Sequence, residues 1–354
     1  MELKEILKDL TTAPGISGYE TQAAEVAKKH LNAYSDEVRI DKIGNVVAIK
    51  RGGQSGEGDE RRRILLAAHL DEIGLMVTKV EDGGFLRITA IGGVDSSILP
   101  GQEVTVLGKS VLRGVIGAKP PHLQAPDEAN KPVNMDDLYI DVGLAKEEVE
   151  KSVEVGTLIR IESEFLELSN GYIAAQVLDD RSGVAAMVET MRRLTLRKHT
   201  WDVYAIATAQ EEFSGSGARG AAFGIQPQIA IAIDVTFGAA PGLPERQTFP
   251  LNKGPVIGIG PNFHPKISQK LRDLAKEHEI PCQLEPSPHP GGTDAVNIQI
   301  SRAGIPCGLL SIPLRNMHTT VEMLKLEDIK RLAELLSIFI SELDTQFEES
   351  LKCF

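Results

Sequence analysis

Leu3, Ile6, Leu7 and Leu10 are apolar at helical spacing, and this predicts a first helix. "APGISGYE" reads as a turn, with Ser17 or Thr21 placed to cap a second helix over about residues 20 to 32. In "EVRIDKIGNVVAIK" the pattern changes to two strands joined by a turn near Gly44-Asn45. A polar, Gly-rich surface connection, "RGGQSGEGDERR", leads into "RILLAAHLDEIGLMVTKV", a buried strand running to a histidine. From about Gly74 to Ser163 the apolar runs are short and divided by glycine-containing turns. "FLRITAIGG", "EVTVLG", "VLRGVIGA", "LYIDVG" and "TLIRIES" each read as a strand, and only "AKEEVEKS" as a helix. The Pro/Asp/Asn-rich stretch 119–138 is of a length that is usually functional or disordered. After about residue 170, strand and helix alternate again. "IAAQVL", "DVYAIATAQEE", "PQIAIAIDVT" and "GIPCGLLSIPL" are strands; "RSGVAAMVETMRRL", "HPKISQKLRDLAKEHEI" and "LEDIKRLAELLSIFISELD" are helices. No internal repeat is visible.

This alternation predicts an α/β fold, a largely parallel sheet with helices on both faces. Residues 1–70 and 170–354 would form it, with a mostly β domain, 71–169, inserted between them. Composition narrows the class. With 42% hydrophobic and 25% charged residues, the chain reads as an ordinary soluble globular protein. No apolar run approaches the roughly 18 to 20 residues that span a bilayer. The charged, amphipathic start "MELKEILKDLTTAPG" is no secretory signal, so a cytoplasmic location without membrane partners is expected. A net charge of −12 argues against a nucleic-acid partner. Cys282, Cys307 and Cys353 are odd in number and scattered, so neither a disulfide framework nor a metal motif is expected; Cys307 reads as a small buried hydrophobe.

In open α/β sheets, sites form beyond the carboxyl ends of strands. Five predicted strand ends here deliver a carboxylate or an imidazole. These are His69 with Asp71 two residues on, Asp179-Asp180, Glu211-Glu212, Asp234, and His318. Each alone has a plain explanation: Asp179-Asp180 could cap the following helix, Asp234 could open a turn, and Glu211 and Glu212 could be solvated. Their coincidence points to a shared site. Carboxylates converging in a desolvated cleft repel one another, and a bound cation removes that difficulty. Two histidines with carboxylates suit zinc, cobalt or manganese and are poor for calcium. Five donors exceed the needs of one open catalytic zinc. If one carboxylate bridges, two divalent ions each gain three protein ligands, and a water between them becomes an acidified nucleophile. A remaining carboxylate could then act as general base, so adjacent glutamates could have different roles.

Taken in order, "AAHLDEIGLMV", "QVLDDRSGVAA", "ATAQEEFSGSGARGA", "AIDVT", "GGTDA" and the histidine of "RNMHTT" resemble the dinuclear-metal aminopeptidases of the glutamyl aminopeptidase and tetrahedral (TET) aminopeptidase family, over essentially the whole chain. The resemblance implies that His69, Asp179 and Asp234 hold one metal, that Asp179 bridges, and that Glu212 and His318 hold the second. Glu211 would be the general base, and Asp71 would orient His69 through its other ring nitrogen. The peptide bond after the bridging aspartate would be cis. A phosphorylase/hydrolase-like domain with an inserted PDZ-like oligomerisation domain is implied, assembled as a homodimer or a tetrahedral dodecamer. The implied activity is hydrolysis of the first peptide bond of substrates with a free N-terminus.

The same resemblance places Gly292, Thr293 and Asp294 of "HPGGTDAVNIQ" at the substrate pocket, where a Gly-rich turn with Thr293 capping a helix is the plain alternative. Arg181 could touch substrate or pair with a carboxylate. His122 could reach an active site from the long loop, or be exposed there. Two other function classes compete. A glycoside hydrolase also uses paired acids, but it has no use for His69 and His318, and 5% aromatics supply few sugar platforms. A metal-stabilised assembly module would have no use for the extra base Glu211.

Overall fold

Six of the seven residues from Arg63 to His69 are buried, and so are eight of the nine from Ile229 to Phe237. Runs buried on both faces belong inside a sheet covered on both sides. In the computed structural model, which describes residues 2–53, 61–123 and 132–352, they lie at the centre of one. The chain divides into two compact units. Residues 1–71, 165–317 and 322–354 form the first, and residues 72–164 with 318–321 the second.

In chain order, the first unit opens with helices α1 (Leu3–Thr12) and α2 (Thr21–Asn32) and strands β1 (Glu37–Ile40), β2 (Val46–Lys50) and β3 (Arg63–His69). The second unit contributes β4 (Gly74–Val80), β5 (Leu86–Ile91), β6 (Glu103–Leu107), β7 (Val111–Gly117), β8 (Tyr139–Asp141), the short helix α3 (Lys146–Val149) and β9 (Leu158–Ile161). The first unit resumes with β10 (Leu166–Glu167), β11 (Tyr172–Ala175), α4 (Leu178–Leu194), β12 (Asp202–Thr208), α5 (Ser216–Ile225), β13 (Ile229–Phe237), β14 (Val256–Ile259), α6 (Pro265–Glu277), β15 (Gln283–Pro286), α7 (Asp294–Gln299), β16 (Cys307–Leu314), β17 (Glu322–Lys325), α8 (Leu326–Ser341) and α9 (Thr345–Ser350).

The central sheet runs β1-β2-β12-β3-β13-β16-β14-β15. It is parallel from β12 to β16 and between β14 and β15, and antiparallel at the β1-β2, β2-β12 and β16-β14 pairings. The sheet is therefore mixed, less uniformly parallel than alternation alone suggests. Strand alternation splits its core. Ile64, Leu66 and Ala68 face a layer containing α1, α2, α4, α6 and α8, while Leu65 and Ala67 face one containing α5 and α7. A second, three-stranded antiparallel sheet, β10-β11-β17, belongs to the same unit.

The second unit is a closed six-stranded barrel, β4-β5-β8-β7-β6-β9, antiparallel at every pairing. Closure leaves no exposed strand edge, and Leu75, Val77, Leu86, Val104, Ile140 and Ile159 fill its interior. At Gly84, φ is +88° and an added Cβ would lie 2.0 Å from the Leu144 carbonyl oxygen, so the β4–β5 turn admits only glycine.

Several expectations are corrected. "RILLAAHLDEIGLMVTKV" is two strands in two units: β3 ends at His69 and β4 starts at Gly74. The N-cap residue of α2 is Glu20, and no side chain caps that helix, neither Ser17 nor Thr21. The Gly/Ser-rich run after Glu212 enters a ten-residue helix, α5. Cys307 is buried, and burial pushes its thiol up to about 12, as fits a small hydrophobe. Cys353 and residues 124–131 of the long loop lie outside the described residues. No described helix is long and apolar enough to cross a membrane.

At the start of β12, Asp202 ties three segments together. Its carboxylate accepts from the Gly52 amide at 2.9 Å, from Arg51 Nη1 at 3.0 Å and from Arg61 Nε at 2.8 Å. Burial alone would raise this carboxyl, but Arg61, the Gly52 amide and Arg51 outweigh it and hold it at about 2. A carboxyl held below its unfolded value stabilises the fold above about pH 4, and that stabilisation disappears as pH falls through about 2. Asp202→Asn should cost about 1–2 kcal/mol at neutral pH, allowing for the half-exposed arginines. The gap to wild type should narrow near pH 3 in urea denaturation; an equal gap at both pH values would remove Asp202 from this role.

Candidate active site

Register brings the first residues together. Thr208 of β12 stands beside His69 of β3. On the other side of β3, β13 pairs as far as Ala232 beside Ala67, and Asp234 follows two residues later. Asp234 thus lies within β13, opposite Ser311 of β16, and does not open a turn. His69 and Asp234 are at the carboxyl-end side of parallel strands, where such sheets bind ligands.

Asp179 arrives by another route. It follows β11, which belongs to the small antiparallel sheet, so the five donors do not come from five ends of one sheet. Its main-chain N–H donates to Glu322 Oε2 at 3.1 Å, from the start of β17. Val177, two residues earlier, has φ of +61°, an unusual conformation for a β-branched residue. The Asp179-Asp180 peptide bond is cis, as the sequence resemblance implies. The expected capping falls to Asp180, whose Oδ1 accepts from the Gly183 amide at 3.1 Å.

The two glutamates follow Gln210, whose φ of +61° turns the chain out of β12. Their amides are held from the segment just after β3. Asp71 accepts from the Glu211 N–H at 2.9 Å through Oδ1 and from the Glu212 N–H at 3.1 Å through Oδ2. Asn45 accepts from the Ala209 N–H at 2.9 Å and donates to the Gly217 carbonyl at 3.1 Å. A Cβ at Gly217 would lie 2.2 Å from the Ala209 carbonyl and 2.4 Å from Asn45 Oδ1, so the first turn of α5 approaches this loop as only glycine can.

The donor atoms of His69, Asp179 and Glu212 all lie within 4.8 Å of one another. His69 Nε2 is 3.0 Å from Asp179 Oδ1, and His69 Nδ1 is 3.3 Å from the Asp71 carbonyl oxygen and 3.6 Å from its Oδ1. Asp71 therefore meets the imidazole chiefly through its main chain; its carboxylate holds the glutamate amides. With the Nδ1 proton on that carbonyl, Nε2 and Asp179 Oδ1 present two lone pairs to each other, and a proton or a metal ion must lie between them.

The electrostatics make the same demand. Burial pushes the Glu211 carboxyl up to about 9, with Asp234, Asp294 and Glu212 adding to the effect. Burial also raises Asp180 and Asp234 well above the carboxylate range, and Asp294 to about 6. His69 opposes the rise in all four. Burial works against a charged His69, yet Asp179, Asp71 and Glu211 outweigh it and hold the imidazole well above its usual value. Asp180 Oδ2 and Asp294 Oδ1 are buried without a hydrogen-bond partner. An imidazole among these carboxylates fits a divalent transition metal.

The other expected residues have the following surroundings. His318 belongs to the barrel unit, with φ of +59° and its Nδ1 3.2 Å from the Gly93 carbonyl. His122 lies in a short turn of that unit, residues 121–123. Gly292 is exposed, and a Cβ there would meet nothing within 4 Å. Thr293 is the N-cap residue of α7 but makes no side-chain cap bond. Asp294 is buried and accepts from Thr208 Oγ1 at 2.5 Å. Arg181 is fully buried, with Nε donating to the Leu70 carbonyl at 3.0 Å and Nη1 to the carbonyls of Leu10 and Ala13. Reasoning from strand ends missed Asn45, Glu20 and Glu322, none of which follows an apolar run.

The M42 glutamyl aminopeptidase family model matches residues 44–335. The lysyl aminopeptidase of Pyrococcus furiosus is 39% identical over 345 residues, covering 96% of this chain and 97% of that protein. Among solved structures, aminopeptidase APDkam598 from Desulfurococcus kamchatkensis superposes with a TM-score of 0.91 at 37% identity, covering 99% of this chain and 98% of that one. The TET1 peptidase of Pyrococcus horikoshii, which can assemble into a tetrahedron or a large octahedral shell, gives a TM-score of 0.83 at 33% identity, with 97% and 100% covered.

In the metal-free protein, a Glu211 carboxyl near 9 carries its proton at neutral pH, and a cation beside it releases that proton. Metal affinity should therefore rise with pH through neutrality, by up to roughly tenfold per unit for each proton released. Calorimetric titration of zinc in buffers of different ionisation heat measures both quantities. Affinity independent of pH, with no proton released, would contradict this account of the site.

Proposed function

The chain belongs to the M42 glutamyl aminopeptidase family, a family of metallo-aminopeptidases, and we propose that it removes the N-terminal residue from peptides by metal-assisted hydrolysis with Glu211 as general base. The observation that carries this reading is the trio of donor atoms from His69, Asp179 and Glu212, with the high-pKa carboxyl of Glu211 next in the chain. In this reading His69, Asp179 and Asp234 would hold one divalent ion, and Asp179 and Glu212 would contribute ligands to a second. The part assigned to His318, a ligand of the second ion, rests on its sequence motif. Zinc and cobalt suit this set best, and manganese is compatible.

When bound, the ions supply Lewis acidity, which polarises a carbonyl and makes water a better nucleophile at neutral pH. The chain's own residues do the rest. Glu211 takes the proton from the attacking water as the new C–O bond forms, and returns it to the amine nitrogen as the C–N bond breaks. Asp71 fixes both glutamates through their amides, so the base and its neighbour keep separate directions. In this reading the loop of Gly292, Thr293 and Asp294 contributes to the substrate pocket, as its sequence motif implies.

A glycoside hydrolase would need two carboxyls facing each other across a sugar, and it would have no use for an imidazole wedged between Asp71 and Asp179. A purely structural metal site would not need Glu211. By analogy with its TET relative, we extend the proposal to assembly: a homo-oligomer, dimer or tetrahedral dodecamer, built through the barrel as a PDZ-like oligomerisation domain on a phosphorylase/hydrolase-like catalytic domain. A cytoplasmic location is part of the same reading.

Aminoacyl-arylamides should be hydrolysed, and a chelator should abolish the activity; chelator-insensitive cleavage of cellulose derivatives would overturn the proposal. Glu211→Gln should keep its metal and lose roughly 10²–10⁴-fold in kcat, whereas Glu212→Gln should lose metal. Full activity in Glu211→Gln would end the assignment of the base. Mass measurement in solution should give a dimer or a dodecamer, and a stable monomer would refute the assembly.

A further inference from the structure

Four consecutive main-chain N–H groups in the loop leaving β12 are held by side chains from elsewhere in the chain. Ala209 donates to Asn45, Glu211 and Glu212 donate to Asp71, and Gln210 donates to Glu20 Oε1 at 3.1 Å. Glu20 comes from the turn between α1 and α2, 190 residues away in the chain. It is 4% exposed. The same Oε1 accepts from the Gly18 N–H at 2.6 Å, where φ is +86° and an added Cβ would meet nothing within 4 Å. The carboxylate is thus fastened to its own turn and extended toward the loop.

Glu20 also occupies the N-cap position of α2. An acceptor side chain there normally folds back onto the amides of its own helix. This one makes no cap bond. Its oxygen is committed instead to Gln210, the left-handed residue at which the chain changes direction just before Glu211. A carboxyl oxygen accepts a hydrogen bond whether or not the group is protonated, so the contact does not depend on its charge.

We propose that Glu20 is a positioning residue for the general base: it holds the Gln210 amide so that the loop presents Glu211 and Glu212 in two fixed directions. The inference rests on the assignment of Glu211 as base. Removing the acceptor takes the partner from a part-buried N–H at the pivot of the loop, and relaxation there displaces the adjoining Glu211. Misplacing a reacting group by about 1 Å costs on the order of 10²-fold in rate. The metal donors His69 and Asp179 come from other segments and keep their places, and the third, Glu212, lies one residue further from the pivot with its amide still held by Asp71.

The test compares wild type, Glu20→Ala, Glu20→Gln and Glu211→Gln in one aminoacyl-arylamide assay, with zinc content and thermal midpoint measured on each. Glu20→Ala should lose about 10- to 100-fold in kcat, with KM and zinc content close to wild type. Glu20→Gln retains an oxygen able to accept both amides and should restore kcat to within a few-fold of wild type. If Glu20→Ala does not fold, Glu20→Asp, which withdraws the acceptor by one methylene, should show the same kcat loss. Wild-type kcat in Glu20→Ala, a loss that only tracks lost zinc, or equal damage from Gln and Ala would each overturn the inference. If wild type is active and Glu211→Gln is not, that failure belongs to Glu20 alone. If wild type hydrolyses no aminoacyl-arylamide, the proposed function fails and takes this inference with it.

Discussion

The Asp71 carboxylate, with one oxygen on the amide of Glu211 and the other on the amide of Glu212, is the contact on which the arrangement of the site depends. Only Leu70 separates it from His69, and the Leu70 N–H is itself bonded to the Thr208 carbonyl on the neighbouring strand. Movement of the glutamate loop relative to the imidazole would therefore break the two Asp71 hydrogen bonds and a sheet hydrogen bond together. The loop is confined from its other side by Asn45 and by the close approach of Gly217. This explains how two adjacent side chains without β-sheet partners keep separate directions.

A second constraint is electrical. The site gathers Asp179, Asp180, Glu211, Glu212, Asp234 and Asp294 around one imidazole, and the buried arginine closest in sequence, Arg181, directs its donors to main-chain carbonyls. Burial of that many carboxyls is costly unless protons or cations compensate. Carboxyls are thus concentrated in one place, an arrangement whose repulsion a bound cation would offset. Other buried carboxylates in the molecule are treated differently: Asp202 has its two arginines, and Glu189 has Arg192 and Arg193.

Much of this was legible in the sequence because strand cores are apolar and their ends are not. The runs ending at His69 and just before Glu211, and the run through Asp234, mark three adjacent strands, and the register does the rest. Asp179 also follows an apolar run, but its strand pairs outside the central sheet, so the strand-end rule finds it for the wrong reason. The short strands β14 and β15 lack a strong pattern, and α5 begins in a glycine-rich run that reads as a turn. Asn45, Glu20 and Glu322 act through long-range contacts with main-chain groups. No local periodicity signals such contacts, and Glu20 resembles an ordinary helix-start residue until its partner is seen. Arg181 likewise makes contacts with main-chain carbonyls at the end of α1 and beside His69 that its place next to two aspartates does not signal.

The strand order carries a consequence for synthesis. In the sequence β2-β12-β3-β13, the N-terminal strands β2 and β3 are separated by β12, and β3 is flanked on both sides by segments after residue 200. A nascent chain emerging from the ribosome can close the barrel strands of residues 74–161 while β3 still lacks both its neighbours and β2 has only β1. Those two strands, nearly all apolar, must wait for more than a hundred further residues before they are covered. The interval exposes strands of high β-propensity, which makes early chaperone engagement with residues 46–69 the vulnerable step in producing this protein.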